Sequence, residues 1–137
     1  MSRYDIKGKA VLKTNDKYYL TDHSLQYALQ DFRVDNISKI LENIVYCELV
    51  RRGYNVYIGK FENLEIDFVA EKLNGSKIYV QVCYELVSKG TYEREFGNLK
   101  LIKDAYPKYV ISLDRFPNRN DEGVIGMGFV EFLTSNI

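Results

Sequence analysis

The stretch Glu65–Glu85, EIDFVAEKLNGSKIYVQVCYE, decides the fold. It reads as two strands joined at Asn74-Gly75, a pair that favours a type I′ hairpin turn. Alternation puts Ile66, Phe68 and Ala70 on one face of the first strand and Glu65, Asp67, Val69 and Glu71 on the other. On the second strand Ile78, Val80, Val82 and Tyr84 share a face, opposite Tyr79, Gln81, Cys83 and Glu85. A hairpin in this register brings Asp67 near Gln81 and Cys83. Asp67 is the anomaly: an acid inside an apolar run, where an unpaired charge is costly to bury.

Upstream, Ile37, Ile40, Leu41, Ile44, Val45 and Leu49 recur at helical spacing, predicting a helix from Asn36 or Ser38. Arg51 and Arg52 fall in its last turn and Gly53 supplies the stop. Glu42 lies one turn before Val45 and Tyr46, leaning toward the apolar side, so Glu42 and Asp67 are expected to converge. YNVYIG, 54–59, adds a strand between this helix and the hairpin. Downstream, Tyr92, Phe96, Leu99 and Ile102 form the stripe of a second helix starting near Thr91 and ending before Pro107. KYVISL, 108–113, then reads as a buried strand fed by a helical crossover. GVIGMGF gives a short strand and VEFLTSN a last turn of helix, while RFPNRNDEG, 115–123, reads as an exposed, mobile loop. At the other end, strand-like runs flank Asn15-Asp16, and Asp22 is placed to cap a helix through Leu29. The expected fold is α/β, an α-β-β-β-α-β mixed sheet over 36–137 with a hairpin-and-helix extension over 1–35.

At 137 residues, 46% of them hydrophobic, the chain has the length and composition of one domain with its own core. Lys and Arg total 19, as do Asp and Glu, so the basic excess of a nucleic-acid footprint is missing. Cys47 and Cys83 have no CxxC partner and read as small buried hydrophobes of a reducing cytoplasm. No apolar run reaches the roughly 18 residues of a membrane span, and no signal-peptide core opens the chain.

The succession of a helix with an inward Glu (LENIVYCELVRRGYNVY), then EIDFVA, then IYVQVCY resembles the PD-(D/E)XK, restriction-endonuclease-like fold. Nearly the whole chain is similar to the domain of unknown function at the C-terminus of many bacterial and archaeal AAA+-type ATPases. The phrases RYDIKGKAVLKTNDKYYLTD, LENIVYCELVRRGYNVYIGK, EIDFVAEK, YVQVCYEL, EREFGNLKLIKDAYPKYVISLD and GVIGMGFVEFL stand in that domain's order. In active nucleases of the fold an Asp and the Glu of an E-x-K motif hold Mg²⁺, and the Lys positions the attacking water. The resemblance maps Asp67 to that Asp and Glu42 to the helix Glu, but the E-x-K slot reads Gln81-Val82-Cys83. A neutral amide is a poor hard-cation ligand and a thiol supplies no positive charge.

The expectation is therefore a non-catalytic accessory domain, with Glu42, Asp67, Gln81 and Cys83 as remnants of a site and no cofactor. The chain has no GxxxxGK[ST] phosphate loop, so the ATPase implied as partner lies in another domain or another chain. A protein partner suits this reading; DNA has no support from net charge, and no membrane is involved. The alternatives are a Mg²⁺- or Mn²⁺-dependent nuclease with a rearranged site, and a nucleic-acid binder that does not cleave. A residual metal site would draw on Asp67, Glu42 and Glu85, with Glu65, Glu71 and Lys77 as further neighbours. Cys83 lacks a nearby His for nucleophilic chemistry, since the only one is His23. Arg51, Arg52 and Lys60 read as helix-end and solvated charges, not phosphate contacts. Arg94 is expected to form surface ion pairs with Glu93 and Glu95.

Overall fold

The computed structural model describes residues 3–6, 10–12, 34–84, 89–113 and 119–137. The expected hairpin at Asn15-Asp16, the helix from Asp22 to Leu29, His23 and Glu85 lie outside these residues. The elements in chain order are β1 (Arg3–Asp5), β2 (Ala10–Leu12), α1 (Val34–Arg51), β3 (Asn55–Phe61), β4 (Leu64–Glu71) and β5 (Lys77–Cys83). They continue with α2 (Lys89–Lys100), β6 (Lys108–Ser112), β7 (Arg119–Asp121), β8 (Val124–Gly128) and α3 (Phe129–Thr134). The strands form one mixed sheet in the order β2-β1-β3-β4-β5-β6-β8-β7. β1 runs parallel to β3, so strands from the expected N-terminal extension join the same sheet.

Each face of the sheet carries a core. On one, Leu41, Val45 and Leu49 of α1 pack on Phe68, Ala70, Ile78, Val80, Val82 and Ile111, and Phe129 and Phe132 of α3 close the end. On the other, Phe96 and Leu99 of α2 and then Ile102 pack on Ile66, Val69, Tyr79, Cys83 and Val110. The 18-residue helix α1 begins at Val34, a little before the expected start. It ends as the sequence implies: Gly53, at φ 91°, lets its own N–H donate to Val50 O and the Tyr54 N–H to Leu49 O. This paired closure satisfies carbonyls that a helix end otherwise leaves open. Among the described residues no helix is long and apolar enough to cross a membrane.

Several local expectations are corrected. Asn74-Gly75 does lie in the β4–β5 connection, but only Gly75 takes a positive φ, 90°. The Asn74 Oδ1 instead accepts the Ser76 N–H at 2.9 Å, and Gly75 N–H donates to Lys72 O at 3.0 Å. The asparagine thus acts through its side chain, and the turn is not type I′. The expected loop 115–123 contains β7, which pairs antiparallel with β8. Glu122 and Gly123 both take positive φ (51° and 88°), the pairing that suits a two-residue hairpin. Cys47, expected inside, is exposed, whereas Cys83 is buried. Cys47 falls on the side of α1 turned away from the sheet.

The largest departure is in β4. Tyr57 faces Val69 and Gly59 faces Ile66 across β3, so two residues, Asp67 and Phe68, oppose one, Ile58. This β-bulge breaks the alternation. Ile66 moves to the α2 face beside Val69, while Phe68 and Ala70 remain on the α1 face.

Candidate functional site

The bulge places Asp67 where β4 and β5 part. The register between these strands runs from Glu71 opposite Lys77 to Phe68 opposite Val80 and stops there. Beyond it, side chains replace the ladder. The Asp67 N–H donates to Gln81 Oε1 at 2.8 Å, and Asp67 Oδ2 accepts the Val82 N–H at 2.8 Å. The Gln81 side chain and the Val82 N–H thus clasp Asp67 across the split.

Three acids from three elements surround this clasp. Part of Asp67 stays accessible, but its carboxyl is enclosed by protein. Burial pushes that carboxyl well above the usual carboxylate range. Glu42 of α1, within hydrogen-bonding reach, adds to the rise; the Val82 N–H opposes it and the Glu95 charge adds again. Glu95 of α2 is itself only 8% exposed. Burial raises its carboxyl, the neighbouring Arg94 guanidinium opposes, and Glu42 contributes on the raising side. The expected surface ion pair of Arg94 and Glu95 is formed, at 3.2 Å, but its acidic partner faces inward.

Of the residues singled out in the sequence, Glu42, Asp67 and Gln81 are therefore brought together. Cys83 lies in the α2-side core with Phe96 and Val110, as a packing residue. Glu65 is exposed, and Glu71 and Lys77 form an ion pair at 3.1 Å across the far end of the hairpin. That pair stands four residues along β4 from Asp67, roughly 13 Å away at the rise of an extended strand. Glu95 is the residue that sequence reasoning missed.

A hard divalent ion would have to compete here with the fold's own hydrogen bonds. Such an ion needs several free oxygen ligands. Here the Gln81 carbonyl and one Asp67 oxygen are already engaged by backbone N–H groups. Among the described residues no three His, Cys, Asp or Glu side chains are grouped to hold a metal. Glu95 acts on the Glu42–Asp67 pair through its charge.

A stability prediction follows from the raised Asp67 carboxyl. A folded-state value above the unfolded one favours the protonated form in the fold. Its stabilisation is complete below the unfolded value and is lost as pH rises through the folded one. Asp67→Asn keeps an oxygen for the Val82 N–H and carries no charge. It is expected to be about 1–3 kcal/mol more stable than the native protein at pH 8, a gain that fades toward pH 4. Denaturant unfolding at both pH values checks this; a variant less stable at both would show that the carboxylate is held by favourable partners.

The fold and this centre define an α/β domain with a mixed sheet, flanking helices and a carboxyl-rich split between two central strands. Comparison with known proteins places that domain within longer chains. It is 40% identical over 131 residues to an uncharacterized protein of Haemophilus influenzae, which covers 96% of this chain but 32% of that protein. It is 32% identical over 111 residues to an uncharacterized protein of Methanocaldococcus jannaschii, 74% of this chain and 24% of that protein. The chain thus spans about a third or less of these relatives. No family model matches it, and no solved structure does.

Proposed function

We propose that this chain is a non-catalytic accessory domain of an AAA+-type P-loop ATPase, a nuclease-like domain whose E-x-K slot has become structural. The clasp carries this reading. In an active site the residue at position 81 would present a free carboxylate to a metal; here its amide oxygen holds the Asp67 N–H. The Cys83 side chain, in the place of the lysine, is buried among apolar residues and brings no charge. The split in the sheet is kept, and the groups that line it hold one another. Both relatives carry the matching segment as a minor part of a longer chain, as an accessory domain would be. Two thiols outside any disulfide accord with a reducing, cytoplasmic setting.

A second reading, a Mg²⁺-dependent nuclease with a displaced ligand, draws on Glu95. Its inward carboxylate next to Glu42 and Asp67 is where a migrated acid would lie. Calorimetric titration of Mn²⁺ into the native protein and into Asp67→Asn separates the two. The accessory-domain reading expects no saturable heat that differs between them. Saturable binding lost in Asp67→Asn would overturn it in favour of the nuclease, and cleavage assays would follow.

A further inference from the structure

We infer that residues 129–137 form a strap that opens as a unit from the α1 face of the sheet, with Arg52 as its catch. This device is independent of the Asp67 centre and of the accessory-domain reading. Helix α3 within the strap has six residues, too few to persist alone, and no side chain caps its N-terminus. Two phenylalanines, Phe129 and Phe132, seat it in the core, while Val130 and Leu133 face outward. Ile137 packs on the same core, and one guanidinium ties the strap's polar groups. Arg52 Nη2 donates to Phe132 O at 2.9 Å and Leu133 O at 3.3 Å, and Nη1 donates to Ser135 Oγ at 3.3 Å and Ile137 O at 3.2 Å. The guanidinium also lies 4.9 Å from the Phe132 ring centroid, and its Nε donates to Glu48 at 2.9 Å. Glu48, held at about 2 mainly by its hydrogen bond to Arg51, with burial opposing and Arg52 adding, stays ionised at any ordinary pH. The acidic side of the catch thus keeps its charge.

What lies beside the strap is unevenly filled. A hollow of about 400 Å³ is bounded by Glu131, Ser135 and Ile137 on the strap and by Tyr109, Ile125 and Met127 on the sheet. A second, about 320 Å³, shares Tyr109 and Ile137 and extends toward Tyr54 and Tyr106. A segment that borders two open hollows gives up fewer packing contacts on leaving than one embedded on all sides in the core. Opening it widens the hollow floored by Tyr109, Ile125 and Met127 and bares the core that Phe129 and Phe132 cover.

Native-state hydrogen exchange tests the strap. In the native protein the hydrogen-bonded amides of 129–137 should exchange together and faster than those of β4 and β5. Arg52→Ala should speed the strap amides by roughly 100-fold, since several bonds to one charged group are lost together, and leave β4 and β5 within about threefold. Arg52→Lys should fall between, because an ammonium cannot fork across four acceptors. Strap amides exchanging in step with β4 and β5 in the native protein would overturn the inference. So would an Arg52→Ala effect that is absent or spread equally over the sheet. The native measurement decides alone if Arg52→Ala does not fold.

Discussion

Gly59→Ala is expected to lower stability by about 3 kcal/mol, the upper end of the cost of overpacking a core. For a domain of this size that is roughly a 10 °C fall in Tm. The reason is space, not backbone conformation. A Cβ at position 59 would lie 2.8 Å from Ile66 Cβ, 2.9 Å from Val69 Cγ2 and 3.0 Å from Ile6 Cδ1. Ile66 Cβ is attached to the backbone and cannot swing aside. Ile66 and Val69 share a face only because the bulge inserts a residue between them, so they close over Gly59 from both sides of Asp67 and Phe68. Forcing them apart is expected to disturb the Val82 N–H bond to Asp67, visible as a shift of the Val82 amide resonance. A variant within about 0.5 kcal/mol of the native protein would mean that the three contacts relax freely and that the bulge does not depend on the glycine.

The second large effect lies between α2 and β6, where Asp104 joins three groups. Its Oδ2 accepts the Tyr79 hydroxyl at 2.6 Å, and its Oδ1 accepts Lys108 Nζ at 2.9 Å and the Tyr106 N–H at 3.1 Å. Lys108 is only 6% exposed and donates also to the carbonyls of Asp104 and Tyr106, each at 2.9 Å. Asp104→Ala removes the ion pair of this ammonium and the Tyr79 hydroxyl's bond to Asp104. The expected loss is about 2–3 kcal/mol, the scale of hydrogen bonds to charged groups. Burial alone would raise the Asp104 carboxyl, but Tyr79, Lys108 and the Tyr106 N–H together hold it below its usual value. Its contribution is then present above the unfolded-state value and lost as pH falls through the folded one. The gap between native and Asp104→Ala unfolding free energies should narrow in strongly acidic solution. A gap that is constant with pH would assign the loss to packing instead of charge.

How much of this was legible in the sequence depends on whether the deciding contact is local. The α1 stripe, its Gly53 stop, the α2 stripe and the succession of elements from α1 to β6 all follow from periodicity and turn residues within a few positions. The bulge does not, because alternation has no symbol for an extra residue. Its traces were a glycine inside YNVYIGK and three consecutive apolar residues, Phe68-Val69-Ala70, in a strand that otherwise alternates. The convergence of Glu42 and Asp67 was readable from their faces. Glu95 was hidden by its charged neighbours Glu93 and Arg94, although it stands three residues after Tyr92 and four before Leu99, on the stripe that packs inward. Arg52 was readable only as a helix-end charge, since its acceptors come from a helix some eighty residues later in the chain.

The strand order has a kinetic consequence. The sheet divides at the Asp67 split into β2-β1-β3-β4 and β5-β6-β8-β7, and each half comes from one continuous part of the chain. In the chain the halves are joined by a single short connection, 72–76. Loop closure across so few residues is fast, whereas the long closure that sets Arg3 opposite Ile58 falls wholly within the first half. The eight described strands can therefore assemble as two four-strand problems, and the docking of β1 onto β3 is the step most exposed to delay.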